Sequence, residues 1–379
     1  MTHRRILAAA LAAAAVTGCI APALAAPPPM AAKAVDDAAF SPLPDKPSGR
    51  AVPEIVKAEV LLDRARFSPG AIDGIDGENF GHALSAYQVQ MGLPASGRLD
   101  QPTWDRLTAG APAPLTSVSV TAEEAAGPFT KTIPAKFEAQ SKLAHMGYHD
   151  IREELGERYH MSEPLLMALN PGSKFAAGQR IVVADVDAAK PADKVARIVV
   201  DKAGHDVEAL AADGRLIAHY PASIGSDEKP APTGDFTVHR VDRDPVYTYD
   251  PKYHFKGVSA KRPFSIKPGP NNPVGLVWMD LGGDGYGMHG TPDPEAVGKT
   301  QSHGCIRMTN WDALNLAAMV DKGTPVSFGD VQGSTGPVPA AAPVPPAPSV
   351  PGPSVPATPA VGAPAGQPSA SADTAKPAP

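Results

Sequence analysis

The chain has 379 residues, a formal net charge of −6 at pH 7 and a sequence pI of about 6.0. This balance gives no basic footprint for nucleic acid and argues against broad attraction to anionic membrane surfaces. The length is typical of two to three domains. Many of the 44 prolines and 35 glycines fall outside the segments with hydrophobic periodicity, which indicates linkers between the folded parts.

The first 25 residues have the features of an export signal. Arg4 and Arg5 precede an apolar run of eleven residues from Ile6 to Val16, and Ala23-Leu24-Ala25 forms an A-x-A cleavage site. The run is too short for a membrane span of about 20 residues. We therefore expect an exported protein of the periplasm or cell envelope.

Cys19 belongs to a second motif in the same leader. Val16-Thr17-Gly18-Cys19 resembles a lipobox, in which the cysteine is lipidated and becomes the first residue of the mature chain. Cleavage before Ala26 and a lipid anchor at Cys19 remain open alternatives. In either case Cys305 is the one other cysteine, so no intrachain disulfide framework is expected, even in an oxidising compartment.

A Pro/Ala-rich linker is expected at 26–54, and helical spacing of apolar residues begins at Ile55. Residues 55–110 combine this helix with the turn-rich I-D-G-I-D-G, a helix containing A-L-S-A-Y-Q, and the ending G-L-P-A-S-G-R-L-D-Q-P-T-W. These motifs resemble the small three-helix peptidoglycan-binding module. The resemblance implies either binding to peptidoglycan or a module that only positions its enzyme.

Residues 111–140 show little periodicity and are interpreted as a connector. In 141–186, two helical stretches precede Asn170-Pro171 and the turn and strand of G-Q-R-I-V-V. This order resembles a LysM module, a family that recognises N-acetylglucosamine polymers. The alternative is a helical spacer whose last strand joins the following domain.

From residue 194 to 329, short strands and Gly/Pro turns replace the helices. Strands are predicted at 196–201, 205–211, 216–220, 235–238, 246–247 and 277–280, and a helix at 311–320. This pattern predicts a mainly β sandwich or barrel-like sheet. With the helical modules ahead of it, the chain is expected to be an α+β multidomain protein.

The chemistry of this domain is concentrated in 288–308, M-H-G-T-P-D-P-E-A-V-G-K-T-Q-S-H-G-C-I-R-M. A thiol becomes a useful nucleophile when a base raises its thiolate fraction, and His289 and His303 are the available bases. H-G-T followed by S-H-G-C-I-R resembles the L,D-transpeptidase (YkuD-type) catalytic domain of bacterial cell-wall enzymes. P-T-G-D-F at 232–236 and N-P-V-G at 272–275 extend the resemblance over residues 194–329.

The resemblance implies acyl transfer with Cys305 as the nucleophile. His289 is the preferred base, with its ring oriented by a nearby backbone carbonyl. His303 is the alternative base and otherwise lines the oxyanion region. The backbone N–H groups of Gly304 and Cys305 are the expected oxyanion donors, because glycine permits close approach of the backbone.

The same motif is expected to bind the substrate. Arg307 either pairs with a substrate carboxylate through its planar fork or braces the loop through a salt bridge. Gly290, Thr291 and Ser302 complete the predicted substrate-binding set, and for Thr291 and Ser302 a purely structural role is an equal alternative. Tyr286 and Trp278 are expected to pack in the core, with a position beside the cleft as the alternative.

The implied reaction cleaves the amide between the L-centre of meso-diaminopimelate and the terminal D-alanine of a peptidoglycan tetrapeptide stem. The acyl group is held on Cys305 as a thioester and passes to an acceptor amine, which forms a 3→3 cross-link or attaches a protein to the wall. If water accepts the acyl group, the enzyme is an L,D-carboxypeptidase or amidase. A wall-binding protein with an inactive domain is the remaining alternative.

No cofactor is expected, and no metal, because the local donors fall short of a convincing zinc site. Residues 330–379 are mostly Pro, Ala, Val, Ser and Gly and are expected to be disordered. The sequence gives no prediction of the oligomeric state.

Overall fold

The computed structural model describes residues 27–44, 46–186, 194–226, 230–253, 260–282, 285–302 and 304–329. The predicted export signal with Cys19, the tail at 330–379 and His303 lie outside these described residues. Among the described helices, none has both the length and the apolar character needed to cross a membrane.

Helices predominate in the first half of the chain and strands in the second. The helices are α1 Ala32–Asp36, α2 Pro53–Arg64, α3 Glu78–Gln90, α4 Gln101–Thr108, α5 Ala122–Ala126, α6 Phe137–Gln140, α7 Ile151–Arg158, α8 Glu163–Leu169 and α9 Asn310–Met319. The strands are β1 Leu115–Ser119, β2 Arg180–Ala184, β3 Arg197–Asp201, β4 Asp206–Leu210, β5 Leu216–Pro221, β6 Ser223–Ile224, β7 Gly234–Thr237, β8 Arg240–Arg243, β9 Tyr247–Tyr249, β10 Phe264–Ile266, β11 Val277–Asp280, β12 Gly287–His289, β13 Ile306–Arg307 and β14 Pro325–Phe328.

Helices α2, α3 and α4 form a small unit at the position predicted for the three-helix module. Pro53 fits the first turn of α2, because its missing N–H would have no partner within the helix. Asp100 begins α4 by accepting a hydrogen bond from Thr103 N (2.9 Å). In the core of the unit, the rings of Phe67 and Tyr87 pack edge to face, with their centroids 5.4 Å apart.

The linker expected at 26–54 is wrong for part of its length. Helix α1 lies within it, and Val35 is fully buried in a cluster that includes Val56 of α2. The N–H of Met30 also donates to the carbonyl of Ala168 in α8 (2.8 Å). The Pro/Ala-rich composition gave no sign of this packing, because it involves a single fully buried valine and backbone hydrogen bonds, which have no sequence signature.

A second unit is built from a strand pair and two helices. β1 pairs antiparallel with β2, from Leu115↔Ala184 to Ser119↔Arg180, and α7 and α8 contribute Leu155 and Leu166 to the same buried cluster. The connector expected at 111–140 therefore contains the first strand of this unit, so the boundary predicted at 141 is wrong. The alternative in which the last strand joins the following domain is also wrong, since β2 pairs with β1.

Two five-stranded sheets form the third unit. Their strand orders are β5-β4-β3-β14-β7 and β6-β13-β12-β11-β8. Residues of both sheets share one buried cluster, to which β3 gives Ile198, β11 Met279 and β12 Met288, and α9 adds Leu316. The predicted mainly β domain after helical modules is thus confirmed.

The three-helix unit is packed directly against this domain. Val199, Leu210 and Leu216 of the first sheet lie in the same buried cluster as Phe67. Phe67 forms a parallel bridge with His219, whose carbonyl accepts a hydrogen bond from Ser68 N (2.9 Å). The segment after α2 therefore covers the edge of β5, which protects an otherwise open sheet edge.

Candidate active site

The candidate site is organised by two adjacent strands, β12 and β13. They pair in parallel with the register Met288↔Ile306 and His289↔Arg307. Because side chains alternate along a strand, the fully buried Met288 and Ile306 point into the core, and His289 and Arg307 point to the opposite face. Cys305 immediately precedes Ile306, at the start of β13.

His289 is held in one orientation by its surroundings. Trp278 is its cross-strand neighbour on β11, and the two rings stack at 5.6 Å with an angle of 21°. The indole reaches over Gly287, where a Cβ atom would lie 2.5 Å from the ring. Trp278 is therefore half-buried beside His289, which agrees with the alternative that it flanks the cleft and not with the preferred prediction of core packing.

The protonation of His289 follows from its hydrogen bond. Its Nδ1 lies 2.6 Å from the carbonyl oxygen of Gly290. A carbonyl can only accept, so Nδ1 carries the proton and Nε2 presents its lone pair. Burial lowers the pKa of His289 to about 4, and the nearby Arg307 guanidinium acts in the same direction. The ring is neutral at pH 7, with Nε2 able to accept a proton.

Cys305 lies at the end of the loop before β13, and hydrogen bonds of Ser302 hold this loop in place. Its Sγ is 3.7 Å from the carbonyl oxygen of Gly285, and the residue is partly exposed. The hydroxyl of Ser302 donates to the carbonyl of Cys305 and accepts a hydrogen bond from Gly225 N (2.7 Å). Gly304 has φ of 95°, a left-handed conformation that favours glycine. These contacts present the thiol just before β13.

Two further side chains lie within electrostatic range of the thiol. Burial raises the pKa of the Tyr247 hydroxyl, and the nearby Cys305 adds to the effect. Burial lowers the pKa of Arg307, while Asp293 and Cys305 oppose that shift. Tyr247 also packs edge to face against Phe137 of α6 at 5.5 Å. The sequence marked Tyr247 as a strand residue and did not indicate its place at the site.

Behind His289, the buried Asn310 ties three segments together. Its Oδ1 accepts a hydrogen bond from Leu276 N (3.0 Å), and a Cβ atom on Gly290 would lie 2.2 Å from that oxygen. Its Nδ2 donates to both carboxyl oxygens of Glu157, at 2.9 and 3.0 Å. Burial raises the pKa of Glu157 to about 8. Helix α7 of the second unit therefore supports the strand end that carries His289.

Comparison with known proteins identifies the family. Residues 195–327 match the YkuD family model, described as the L,D-transpeptidase catalytic domain, and residues 52–107 match “Putative peptidoglycan binding domain”. Over 179 residues the chain is 31% identical to “Putative L,D-transpeptidase YkuD” of Bacillus licheniformis, with 46% of this chain and 92% of that protein covered. The chain belongs to the YkuD family of L,D-transpeptidases.

Two further matches cover a smaller share of the known protein. “Probable L,D-transpeptidase YbiS” of Escherichia coli strain K12 is 34% identical over 113 residues, which are 29% of this chain and 37% of that protein. A crystal structure of L,D-transpeptidase 3 from Mycobacterium tuberculosis in complex with a faropenem-derived adduct is 23% identical, with a TM-score of 0.30. That match covers 35% of this chain and 59% of the solved chain.

The YkuD domain brings several predicted site residues to one place. His289 and Arg307 are register partners on β12 and β13, and Gly304 and Cys305 immediately precede β13. The catalytic and binding roles of these four residues stay predictions, as does any role of His303.

The remaining predicted binding residues are buried and contact the protein itself. Gly290 packs on Asn310, and Thr291 accepts a hydrogen bond from Asp293 N (3.3 Å). Ser302 joins its loop to Gly225, so the alternative structural role given to Thr291 and Ser302 agrees with these contacts. Asn310 and Glu157 escaped the sequence analysis, because a buried polar pair between distant segments leaves no local pattern.

Proposed function

We propose that this chain is a peptidoglycan L,D-transpeptidase that acts through a thioester on Cys305. The observation that carries the proposal is the position of Cys305 directly before β13, whose Arg307 is the register partner of His289 on the adjacent β12. The neutral His289 ring, with its proton fixed on Nδ1 by Gly290, supports the role of Nε2 as the base. Membership of the YkuD family supplies the substrate class.

The first half of the reaction forms the acyl-enzyme. Cys305 Sγ attacks the carbonyl carbon of the amide between meso-diaminopimelate and terminal D-alanine, and the thiol proton passes to His289 Nε2. The N–H groups of Gly304 and Cys305 stabilise the tetrahedral oxyanion. When the C–N bond breaks, His289 returns that proton to the leaving amine, and D-alanine departs with a thioester left on Cys305.

In the second half, an acceptor amine attacks the thioester carbonyl and transfers a proton to His289 Nε2. Collapse of the second tetrahedral intermediate releases the cross-linked product, and the proton returns to the Cys305 sulfur. The low pKa of His289 makes its protonated form a strong acid, which favours protonation of the poor amine leaving group. Because neutral His289 is a weak base, it takes up the proton as the oxyanion forms and not before.

The accessory units suggest where the reaction takes place. The peptidoglycan-binding domain at 52–107 and the catalytic domain together direct the chain to peptidoglycan and thus to the cell envelope. Export through residues 1–25, a periplasmic location and a lipid anchor at Cys19 belong to this proposal. The same holds for a LysM-like role of the second unit in binding glycan, which the pairing of β1 with β2 and the helices α7 and α8 directly before β2 support.

Transfer and hydrolysis differ in the fate of the thioester, so product analysis distinguishes them. The purified chain is incubated with a soluble tetrapeptide stem, and the products are separated and weighed by mass spectrometry. Peptide dimers joined at the third residues support the transpeptidase. Tripeptide alone would assign an L,D-carboxypeptidase or amidase. Unchanged tetrapeptide would leave a wall-binding protein and refute the enzyme.

A further inference from the structure

The loop between His289 and Cys305 is held from outside the catalytic domain. Asn79, in the first turn of α3, donates from Nδ2 to the carbonyl of Val297 (2.9 Å). Both side chains are buried, with Asn79 at 8% exposure and Val297 at 0%. The peptidoglycan-binding unit thus contacts the backbone of the segment that joins the base to the nucleophile.

The side chain of Asn79 is packed closely against two glycines. Gly298 has φ of +75°, and a Cβ atom there would lie 2.3 Å from Asn79 Oδ1. On the other side, a Cβ atom on Gly70 would lie 3.3 Å from Asn79 Nδ2. The carboxamide is therefore enclosed between two glycine backbones, one from its own unit and one from the catalytic loop.

A second contact acts at the same junction. Lys299 Nζ lies 3.9 Å from Asp73 Oδ2, in the D-G loop that precedes α3. Both side chains are partly exposed, so this ion pair alone contributes little. Its position next to the Asn79–Val297 hydrogen bond means that both contacts restrain residues 297–299.

The far side of the loop is held by the catalytic domain. The N–H of Gly298 donates to Ser223 Oγ (3.2 Å), and Ser223 pairs with Arg307 across the β6–β13 register. Further along, Ser302 N donates to Gly225 O (2.9 Å). The loop is thus clamped between β6 and α3, and loss of the α3 contacts would leave one side unsupported.

We propose that the peptidoglycan-binding unit is a structural part of the active site, in which Asn79 is a positioning residue for the loop that ends at Cys305. Catalysis then depends on this unit even when the substrate is a small soluble stem that the unit does not bind. A unit that only tethers the enzyme to the wall would affect reactions with whole sacculi alone. The catalytic part of this inference rests on the proposed transpeptidase function.

The test compares two carboxamide deletions in the same helix of the full chain. Asn79→Ala removes the contact with the catalytic loop. Gln88→Ala is the matched control, because Gln88 is fully buried and bonds within its own unit, to Arg98 O and Thr103 Oγ1 (both 2.9 Å). Asn79→Ser provides a second, milder variant in case Asn79→Ala does not fold.

Three measurements are made on each variant: hydrogen exchange of the non-proline backbone amides in 293–302, the rate of alkylation of Cys305 by iodoacetamide as a function of pH, and kcat and KM with a soluble tetrapeptide stem. For both Asn79 variants we expect amide exchange to be about tenfold faster and kcat about tenfold lower, with little change in KM. The pH dependence of Cys305 alkylation should also differ from that of the wild type. Gln88→Ala should lower Tm and leave these quantities at wild-type values.

The inference would be overturned if the Asn79 variants kept the wild-type values of exchange, alkylation and kcat. A loss of activity on sacculi alone would then indicate that the unit only tethers the enzyme. Equal effects of Gln88→Ala would also overturn it, since general loosening of the unit would then explain them. If the wild-type chain does not turn over the stem, the proposed function fails. The exchange and alkylation measurements would still decide whether Asn79 positions the loop.

Discussion

Among single residues, His289 is the one whose protonation state matters most for the proposed chemistry. A histidine that is buried, stacked on Trp278 and bonded to Gly290 through Nδ1 is held neutral well below its ordinary titration range. The hydrogen bond fixes the tautomer, and burial fixes the charge. Together they leave Nε2 unprotonated at pH 7, as the proposed role of general base requires.

The pH dependence of acylation follows from this pKa. The base acts only while neutral, so activity falls as the pH drops through the pKa of His289 in the free enzyme. Because that pKa is about 4, the acid limb of kcat/KM should lie near pH 4 and not near 6.5. Acyl-enzyme formation measured from pH 3.5 to 8 checks this expectation. An acid limb near 6.5 would show that the ring is not buried as described.

Glu157 leads to a prediction about stability, which should fall as the pH rises. Its pKa of about 8 exceeds the ordinary value, so the folded chain holds a proton that the unfolded chain has lost between pH 4.5 and 8. The stability contributed by this group is complete below pH 4.5 and is lost as the pH rises to 8. Glu157→Gln keeps an acceptor for Asn310 without this titration.

The Glu157→Gln variant should therefore gain in Tm over the wild type as the pH rises, by about 3 °C or more between pH 5 and 8. Thermal unfolding at several pH values measures the difference. Glu153 also faces this carboxyl, so Glu153→Gln serves as the comparison. A Tm difference that stays constant with pH would refute the raised pKa.

At the scale of elements, the loop from residue 290 to 304 must return the chain from β12 to a parallel neighbour. Parallel pairing requires such a crossover, and here it is made by a Gly/Pro-containing loop and a short helix at Pro294–Ala296. Ser302 fastens the end of this crossover to Gly225. The position of the thiol therefore depends on a few polar contacts.

Ser302→Ala should weaken both stability and acylation. It removes the acceptor of the buried Gly225 N–H, which costs about 1–3 kcal/mol, and it frees the carbonyl of Cys305. Ser327→Ala is a suitable control, since its hydroxyl makes a long bond to Ile198 O (3.4 Å) on the other sheet. Denaturant unfolding and single-turnover acylation measure the two effects. Wild-type acylation in Ser302→Ala would contradict the role of this contact.

Some elements were accessible from sequence and others were not. The strands at 197–201, 216–221 and 277–280 and the helix α9 were predicted, because each repeats its apolar residues over several positions. The strands β12 and β13 were missed, since they contain three and two residues and lie among glycines. The motif nevertheless identified Cys305 and His289, because motif identity does not depend on secondary structure.

Long-range contacts explain the other errors. β1 has the composition L-T-S-V-S and pairs with β2, whose sequence lies beyond two further helices. Asn79, Glu157 and Tyr247 reach the site from segments far along the chain. Each is an ordinary residue in its own segment, so these contacts appear only when the fold brings the segments together.

At the scale of the whole molecule, the described units are packed as a body and are not separate modules on flexible linkers. The first sheet presents Val199, Leu210 and Leu216 to the three-helix unit, and α7 supports the strand end at His289 through Asn310. Burial of these apolar side chains stabilises both partners. The accessory units therefore contribute to the stability of the catalytic domain.

A chain that begins at residue 194 should accordingly be less stable than the full chain. It exposes the apolar face of β3, β4 and β5, so we expect a lower Tm, dye binding to the exposed surface and reduced acylation. The full chain should unfold in one calorimetric transition. Removal of residues 330–379 serves as the control and should leave Tm unchanged. Independent transitions for the helical units would contradict this description.

The proposed mechanism requires Cys305 to carry the acyl group. The most direct test mixes the full chain with a soluble tetrapeptide stem, stops the reaction with acid and weighs the intact protein, followed by peptide mapping. We predict a mass increase of one tripeptide acyl group on the peptide that contains Cys305, and neither adduct nor turnover with Cys305→Ala. Turnover of the stem by Cys305→Ala, or an acyl group on another residue, would contradict the account.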